Sequence, residues 1–203
     1  MTQPKILYQG AEAIIKLEGK EITKQRVSKS YRIPELDSKI IKLRTRSEAK
    51  ILEKLKKIIN VPNVIKTTDK EIIMEFIEGK RLSSHLDDFS EKEQEKICKE
   101  IGKQTSKMHE TGIVHGDLTT SNMILKENKV YFIDFGLGFH SIKAEDKAVD
   151  LHLIKQALEA KHFKFWEKLW KAIQQGYESE NKEQSKKILE QLKKVDLRGR
   201  YKH

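Results

Sequence analysis

The sequence predicts an α+β fold in which an antiparallel sheet with one helix comes first and a mostly helical region follows. Short runs of aliphatic and β-branched residues, separated by Gly-containing turns, occupy residues 1–77. Helical apolar spacing dominates residues 78–203. We therefore expect two lobes, 1–77 and 78–203, with the boundary at Glu78-Gly79-Lys80.

The strands and the helix of the N-terminal lobe are predicted from the pattern of apolar residues and from the turn residues between them. The expected helix spans Ser47–Ile59, where apolar side chains recur on one face, and Pro62 ends it. A glycine turn at Glu18-Gly19-Lys20 closes a hairpin. The expected strands are Ile6–Tyr8, Ala13–Leu17, Ile22–Val27, Val64–Lys66 and Ile72–Phe76.

The C-terminal region predicts helices and one further hairpin. Ser90 with Glu93 forms a capping box, so a helix is expected from there to about His109. Two short strands are expected on either side of Glu127-Asn128. These strands are Met123–Lys126 and Lys129–Ile133, and the later helices are expected over 147–161, 163–177 and 182–195.

Composition is typical of a folded protein. Of the 203 residues, 37% are hydrophobic and 35% are charged, which is enough apolar material for a packed core. No apolar run approaches the roughly 20 residues that span a bilayer, and residues 1–5 lack the apolar part of a secretion signal. The single cysteine, Cys98, excludes an internal disulfide. We expect a cytoplasmic protein with no membrane contact.

The charge balance is strongly basic. Lys plus Arg number 41 and Asp plus Glu number 31, which gives a net charge of +10. This balance suggests an acidic partner such as a nucleotide, RNA or an acidic protein, although a well-solvated surface has the same composition.

Asp117, Asn122 and Asp134 form the strongest motif. Asp117 and Asn122 lie five residues apart, and Asp134, in Ile133–Gly136, follows Asp117 by seventeen. The pattern D-L-x-x-x-N followed by D-F-G is typical of phosphotransferases. Asn122 and Asp134 offer the hard oxygen ligands that Mg²⁺ prefers, and Mn²⁺ is an alternative. Asp117 would orient the attacking hydroxyl or water. The competing interpretation is a pair of loop Asp residues that cap turns.

The upstream residues predict a site for ATP. Lys24 lies in a strand and would bind phosphates, provided that an anionic partner holds it. Glu48, on the apolar side of the following helix, is a better candidate for that partner than Glu53. Small residues in the first turn allow close backbone approach to phosphate. The expected ATP-binding residues are Gly10, Ala11, Glu12, Ala13, Lys24, Glu48, Glu75 and Ile77, the last two through backbone bonds to the adenine edge.

On these residues the chain resembles a minimal two-lobed protein-kinase-like fold. More narrowly, it resembles the small atypical kinase subunit of the KEOPS complex, the p53-related protein kinase family related to the RIO kinases, in an archaeal form. The resemblance covers nearly the whole chain. The shared stretches are 9–13, 24–26, 44–49, 115–122, 133–138, 145–151 and 196–200.

The resemblance implies an Mg-ATP-dependent Ser/Thr kinase or ATPase that supports threonylcarbamoylation of adenosine 37 in tRNA. It implies the threonylcarbamoyl-transfer subunit and the other KEOPS subunits as partners, and tRNA as a contact, directly or through the complex. It also implies that Asp150 bonds the catalytic-loop backbone and that His115 packs beneath this loop. Arg198 and Arg200 belong to a basic tail with no apolar run to bury, which we expect to reach a nucleotide, a partner or tRNA.

The chain departs from an ordinary protein kinase in two places. Gly116 stands where such kinases have Arg, and no proline follows Asp134, so the A-P-E motif is absent. The platform for an extended peptide is therefore missing. This favours ATP hydrolysis, autophosphorylation or a docked partner over general peptide phosphorylation.

Two other functions remain open. One is a small-molecule phosphotransferase of the aminoglycoside or choline kinase type, which has a larger helical lobe than the short, Lys-rich region after Asp134. The other is a non-catalytic, RNA-binding scaffold with a kinase fold. The intact set of Lys24, Asp117, Asn122 and Asp134 argues against this scaffold.

Overall fold

The structure, a computed structural model, describes residues 4–200 and, among them, the side chains of all but residues 199 and 200. The described chain divides into an N-terminal unit, up to Lys57 together with Val61–Glu78, and a C-terminal unit. The C-terminal unit contains Ile58–Asn60 and the chain from Gly79 onward. The first unit holds a sheet and one helix and the second is mostly helical, so the predicted α+β class is confirmed.

A five-stranded antiparallel sheet forms most of the N-terminal unit. Its strands are β1 (Lys5–Gln9), β2 (Ala13–Glu18), β3 (Glu21–Arg26), β4 (Val64–Thr67) and β5 (Glu71–Glu75). They lie in the order β1-β2-β3-β5-β4, so β3 is the central strand. Gly19 makes the turn between β2 and β3 with φ +60, a conformation that glycine adopts without strain.

Helix α1 is much longer than the predicted Ser47–Ile59, because it covers Pro34–Leu55. Pro34 lies in the first turn, where a missing backbone N–H costs nothing, and acidic residues in the same turn favour the positive end of the helix dipole. Leu36 and Leu43 are exposed, so the apolar residues in the first half of the helix do not mark its buried face.

One face of α1 is buried, and Glu48 lies in the middle of it. The seven residues from Ile41 onward that form it are Ile41, Thr45, Glu48, Ala49, Ile51, Leu52 and Leu55. Glu48 is 2% exposed. A carboxylate buried to this degree is tolerated only when cations or hydrogen-bond donors surround it.

Up to residue 200, the C-terminal unit contains five α-helices and two small sheets. Strands β6, β8 and β9 form one sheet, and β7 pairs with β10. The elements are β6 (Lys80–Arg81), α2 (Leu82–His85), α3 (Glu91–Glu110), β7 (Ile113–Val114), β8 (Met123–Lys126), β9 (Lys129–Phe132), β10 (Phe139–His140), α4 (Ala144–Lys161), α5 (Trp166–Glu180) and α6 (Lys182–Arg200). Among residues 4–200, no helix is both long and apolar enough to cross a membrane.

Two local predictions in this unit are confirmed. The capping box at the start of α3 is present, with Glu93 N–H donating to Ser90 Oγ and Ser90 N–H donating to Glu93 Oε2 at 3.0 Å. The β8–β9 hairpin turns at Glu127 and Asn128, whose φ values are +49 and +62. Two consecutive positive φ values match the twist of a two-residue hairpin turn.

The predicted end of the last helix at Val195 is wrong, because α6 continues to Arg200. Asp196 explains the continuation: its carboxylate lies 2.7 Å from His152 Nδ1 and 2.6 Å from Lys155 Nζ, both on α4. These bonds hold the last turns of α6 against α4. Residues 201–203 of the predicted tail lie outside the described residues.

Helices α3 and α5 cross at very short distance. A Cβ added at Gly102 would lie 2.0 Å from the carbonyl oxygen of Ile173, and one added at Gly176 would lie 2.0 Å from that of Lys99. Each obstacle is helix backbone, which cannot move aside as a flexible side chain can. The crossing also brings Tyr177 into the core, where it is 1% exposed.

Replacing Gly102 by Ala should destabilise the protein by about 3 kcal/mol, the upper end of the usual overpacking cost, because the helices must separate. Urea unfolding followed by circular dichroism measures the change. Gly19→Asn is the control, since no atom lies within 4 Å of its Cβ position and Asn tolerates a positive φ. Equal stability of Gly102→Ala and the wild type would contradict the close crossing.

Candidate active site

The catalytic loop, residues 115–122, joins β7 to β8, and Asp150 of α4 holds its first residues. Asp150 Oδ2 accepts the backbone N–H of His115 at 2.6 Å, and Oδ1 accepts that of Gly116 at 2.8 Å. Asp150 is fully buried. Both carboxylate oxygens therefore fix the backbone directly before Asp117.

Gly116 has a structural reason for replacing the arginine of ordinary kinases. Its φ is +78, in the left-handed region, and a Cβ there would lie 2.4 Å from the carbonyl oxygen of Leu137. A side chain at this position would be strained and would collide with backbone. The loop is thus built around a glycine.

A second layer of buried side chains supports Asp150, and sequence reasoning missed it. His109 Nε2 lies 3.2 Å from Asp150 Oδ2, and His109 Nδ1 lies 2.9 Å from the Tyr177 hydroxyl. Burial, with Asp150 as a further cause, raises the pKa of Tyr177, which keeps its hydroxyl protonated and able to donate. No spacing signal connects these residues, because they come from three different helices.

Another buried histidine contacts the catalytic loop. His162 is 1% exposed, and its Nδ1 lies 2.7 Å from Asp87 Oδ1. Its Nε2 lies 3.4 Å from the hydroxyl of Thr120. His162 follows directly after α4, so the loop is supported from this end as well.

The structure brings Asp117, Asn122 and Asp134 together within the C-terminal unit. Asn122 Nδ2 donates to the carbonyl oxygen and to Oδ2 of Asp117, both at 2.9 Å. The N–H of Ile133 donates to the carbonyl oxygen of Asn122 at 2.9 Å, which places the neighbouring Asp134 beside Asn122. Asp134 has φ +62, an uncommon conformation for a residue other than glycine, and such positions concentrate at functional sites.

The donor set fits a magnesium ion that also binds phosphate. The amide nitrogen of Asn122 is engaged by Asp117, so its amide oxygen is the atom that can ligate a cation. Asp134 contributes a carboxylate, whose Oδ1 accepts the N–H of Gly136 at 3.2 Å. In the described part of the chain, no group of three or more His, Cys, Asp or Glu could hold a metal. A site with few protein ligands suits Mg²⁺, which keeps waters and phosphate oxygens among its ligands.

His115 is buried in its neutral form. Its ring lies 4.5 Å from that of Phe135, and burial lowers its pKa even though Asp150 favours the charged form. Nδ1 accepts the N–H of Asp117 at 3.3 Å, and Nε2 lies 3.2 Å from the carbonyl oxygen of Ile133. The neutral ring protonated at Nε2 satisfies both contacts, whereas a protonated Nδ1 would oppose the N–H of Asp117.

In the N-terminal unit, Lys24 and Glu48 meet as an ion pair. Lys24 Nζ lies 2.6 Å from Glu48 Oε1, and Lys24 is 8% exposed. Sequence reasoning missed Arg26, whose Nη2 lies 2.6 Å from Glu48 Oε2. A signal was available, since residues two apart on a strand point to the same face. One carboxylate thus serves two cations.

The first turn is tethered by basic side chains. Gly10 N–H donates to the carbonyl oxygen of Ala13 at 3.0 Å, which closes the turn. Lys29 donates to the carbonyl oxygen of Ala11. Arg44 Nη1 lies 3.2 Å from Glu12 Oε2, so α1 also holds the turn.

The two predicted adenine-binding positions are Glu75, the last residue of β5, and Ile77, two residues further on. Glu75 N–H donates to the carbonyl oxygen of Asn63 at 2.9 Å. Ile77 is 3% exposed, and its backbone makes no hydrogen bond within residues 4–200. The adenine contact expected at these two positions stays a prediction.

Two further residues named from the sequence have ordinary surroundings. Arg198 is on α6 and donates to Glu145, so it is part of a packed helix rather than a tail. Arg200 ends α6, and its side chain is outside the described part. Cys98 is fully buried, and burial raises its pKa to about 12, which leaves its thiol unreactive.

The fold and the loop geometry define a kinase-like protein, and comparison with known proteins agrees. Residues 8–138 match the RIO domain family. The KEOPS complex subunit Bud32 of Pyrococcus abyssi is 46% identical over 97% of this chain and 96% of that protein. The probable bifunctional tRNA threonylcarbamoyladenosine biosynthesis protein of Methanobrevibacter smithii is 41% identical over 98% of this chain, which spans 37% of that longer protein. The chain therefore belongs to the RIO domain family, as a relative of Bud32.

Solved structures support the fold. The ADP-bound aminoglycoside phosphotransferase APH(2'')-Ib has a TM-score of 0.57 and 17% identity, with 94% of this chain and 92% of that chain covered. A likeness at this level of identity concerns the fold alone. The predicted protein-kinase-like fold is confirmed.

The buried His115 should make the protein less stable in mild acid. In the unfolded chain its pKa returns to about 6.5, so below this pH the unfolded state takes up a proton that the folded state refuses. Stability is retained above that value and lost as the pH falls below it, by at most about 1.4 kcal/mol per pH unit. Urea unfolding at pH 7.5 and 5.5 measures the loss.

His115→Asn removes the titrating ring and should reduce this pH dependence, whereas His85→Asn changes an exposed histidine and serves as the control. An equal loss of stability in acid for wild type and His115→Asn would show that His115 titrates alike in both states.

Proposed function

We propose that the chain binds ATP with Mg²⁺ and acts as an atypical Ser/Thr kinase or ATPase. The observation that carries this proposal is the double hydrogen bond from Asn122 to Asp117, with Asp134 beside it. In this arrangement the carboxylate of Asp117 can face the group that accepts the phosphoryl, and oxygens of Asn122 and Asp134 can bind a cation. The ADP-bound state of the structurally similar aminoglycoside phosphotransferase supports a nucleotide as the ligand.

Each residue then has a distinct role. Asp117 orients the attacking hydroxyl or water through Oδ1, because Oδ2 is engaged by Asn122. The amide oxygen of Asn122 and the carboxylate of Asp134 would hold Mg²⁺, which when bound would neutralise charge on the phosphates. Asp150, His109 and His115 keep the loop in place.

The N-terminal residues would bind the nucleotide. Lys24 attracts the phosphates, and Glu48 holds Lys24. The turn at Gly10–Ala13 would cover the phosphates with its backbone, and Ile77, with Glu75 beside it, would bond the adenine edge. Lys29 and Arg44 add positive charge next to that turn.

We further propose that this activity supports threonylcarbamoylation of tRNA within a KEOPS complex. Two findings support this setting: the 46% identity to a KEOPS subunit and the 41% identity to a tRNA threonylcarbamoyladenosine biosynthesis protein, both across nearly the whole chain. The partners would be the threonylcarbamoyl-transfer subunit, the other subunits of the complex and tRNA. A small-molecule phosphotransferase is less favoured, because the sequence identity to the aminoglycoside enzyme is only 17%. ATP turnover measured with and without that subunit and tRNA tests the proposal.

Asp134→Asn should reduce ATP turnover by more than about 100-fold. Mutating a residue that only hydrogen-bonds a metal ligand already costs about 10–100-fold in metal affinity or activity. Asn keeps the size of the side chain and tolerates the positive φ of +62, so the fold should persist. A coupled assay of ADP release measures turnover, and circular dichroism checks folding.

Asp88→Ala, which removes an exposed carboxylate paired with His85, is the matched control and should turn over ATP as the wild type does. Wild-type turnover in Asp134→Asn would refute the metal role of Asp134.

Arg198 and Arg200 remain candidates for a tRNA contact. Arg198 is 66% exposed and its ion pair with Glu145 is on the surface, where such pairs contribute little to stability. Arg198→Ala should therefore leave the melting temperature unchanged. If Arg198 contacts a duplex phosphate, tRNA affinity should fall and the log–log salt slope should decrease by about 0.9.

Lys187→Ala is the control, because it removes an exposed cation from the same helix. An Arg198→Ala chain with the affinity and salt slope of the wild type would contradict the tRNA contact.

A further inference from the structure

A buried histidine connects three separate parts of the C-terminal unit. The ring of His162, which follows directly after α4, lies between Asp87, in the turn after α2, and Thr120, in the catalytic loop. The side chain of Asp87 is 45% exposed, whereas His162 is 1% exposed and Thr120 is fully buried. A row of carboxylate, imidazole and hydroxyl therefore leads from the surface into the catalytic loop.

Asp87 determines which nitrogen of the ring carries a proton. An ionised carboxylate accepts hydrogen bonds and cannot donate, so the 2.7 Å contact with Oδ1 requires an N–H at Nδ1 of His162. In the neutral ring, Nε2 is then an acceptor, and the hydroxyl of Thr120, 3.4 Å away, is its donor.

The backbone of His162 has a structural role that does not need the imidazole. Its N–H donates to the carbonyl oxygen of Leu158 at 2.8 Å, and its carbonyl oxygen accepts the N–H of Phe165 at 3.0 Å. Both bonds belong to the connection between α4 and α5, and any residue could make them. The contacts of the ring with Asp87 and Thr120 therefore need another explanation.

Thr120 begins the short helical turn that carries Asn122. This turn covers Thr120–Asn122, and the N–H of Asn122 donates to the carbonyl oxygen of Thr119 at 3.0 Å. The carbonyl oxygen of Asn122 accepts the N–H of Ile133 at 2.9 Å. A fixed hydroxyl at the start of the turn consequently restricts the residue at its end.

We propose that His162, oriented by Asp87, is a positioning residue that sets the place of Asn122 through the hydroxyl of Thr120. The inference rests on the proposed function, in which Asn122 is a ligand of Mg²⁺, and it adds a support for that ligand. Asp150, within α4, holds the start of the catalytic loop, and His162, directly after α4, holds its end.

The first test needs no nucleotide and measures amide hydrogen exchange by NMR. Thr120→Val removes the hydroxyl and keeps the shape of the side chain. The N–H groups of Asn122 and Ile133 should then exchange about tenfold faster, the order of magnitude expected for a lost buried hydrogen bond. Thr120→Ser keeps the hydroxyl and should exchange as the wild type does.

Thr105→Val is the matched control, because it removes another fully buried hydroxyl, which donates to the carbonyl oxygen of Ile101 within α3. It should leave the exchange of the Asn122 and Ile133 amides unchanged. Wild-type rates in Thr120→Val, or equal acceleration by Thr105→Val, would overturn the inference.

A double-mutant cycle tests whether His162 acts through Thr120. Asn places an amide near the position of Nδ1 and no atom at that of Nε2, so His162→Asn keeps a bond to Asp87 and loses Thr120. Thr120→Val should then add nothing in the His162→Asn background, since changes at two ends of one contact are not additive. Additive effects would overturn the role of His162. If His162→Asn does not fold, nitrogen NMR of the wild-type ring decides, because a ring without a proton on Nδ1 would contradict its orientation by Asp87.

The second test measures ADP binding by calorimetry at a series of Mg²⁺ concentrations. Thr120→Val should raise the Mg²⁺ concentration for half-maximal binding about tenfold, the lower end of the usual effect of a residue that supports a metal ligand. The KM for ATP at saturating Mg²⁺ should stay at the wild-type value. Thr120→Ser should restore the wild-type Mg²⁺ dependence.

The outcomes separate this inference from the proposed function. A wild-type Mg²⁺ dependence in Thr120→Val, alongside its loss in Asp134→Asn, would overturn the role of His162 and leave the proposed function intact. Absence of nucleotide binding by the wild type would refute the proposed function. The exchange rates and the double-mutant cycle would then decide whether His162 sets the place of Asn122.

Discussion

The buried carboxylate of Asp150 holds the part of the molecule in which the proposed chemistry takes place. It accepts the backbone N–H groups of His115 and Gly116, and His109 supports it from behind. The geometry of Asp117 therefore depends on an acidic residue more than thirty positions further along the chain. Because Asp150 is fully buried, each of these hydrogen bonds is strong, and the loss of any donor would leave charge unsatisfied.

A buried carboxylate also positions a predicted site residue in the N-terminal unit. There, a buried carboxylate, Glu48, receives two donors and holds Lys24. The difference lies in the donors. Asp150 binds neutral backbone groups, whereas Glu48 binds two cations.

Features that depend on residues close together in the sequence could be predicted, and features that depend on distant residues could not. Asp117, Asn122 and Asp134 were predicted because phosphoryl transfer demands these residue types in a fixed order. The fold class, the capping box and the hairpin turn likewise rest on short-range patterns. Arg26 and His109 were missed because their importance arises from residues far away in the chain. The start of α1 was misplaced because apolar residues in its first half are exposed. The end of α6 was misplaced because its bonds to α4 involve residues far away in the chain.

The burial of Cys98 has a practical consequence. The chain contains no other cysteine, and this one is inaccessible with a pKa of about 12. Maleimide dyes and nitroxide spin labels would therefore react only with cysteines introduced on the surface, with no need to remove the native thiol. With one such label in each unit, energy transfer or electron paramagnetic resonance would measure whether the distance between the two labels changes when nucleotide is added.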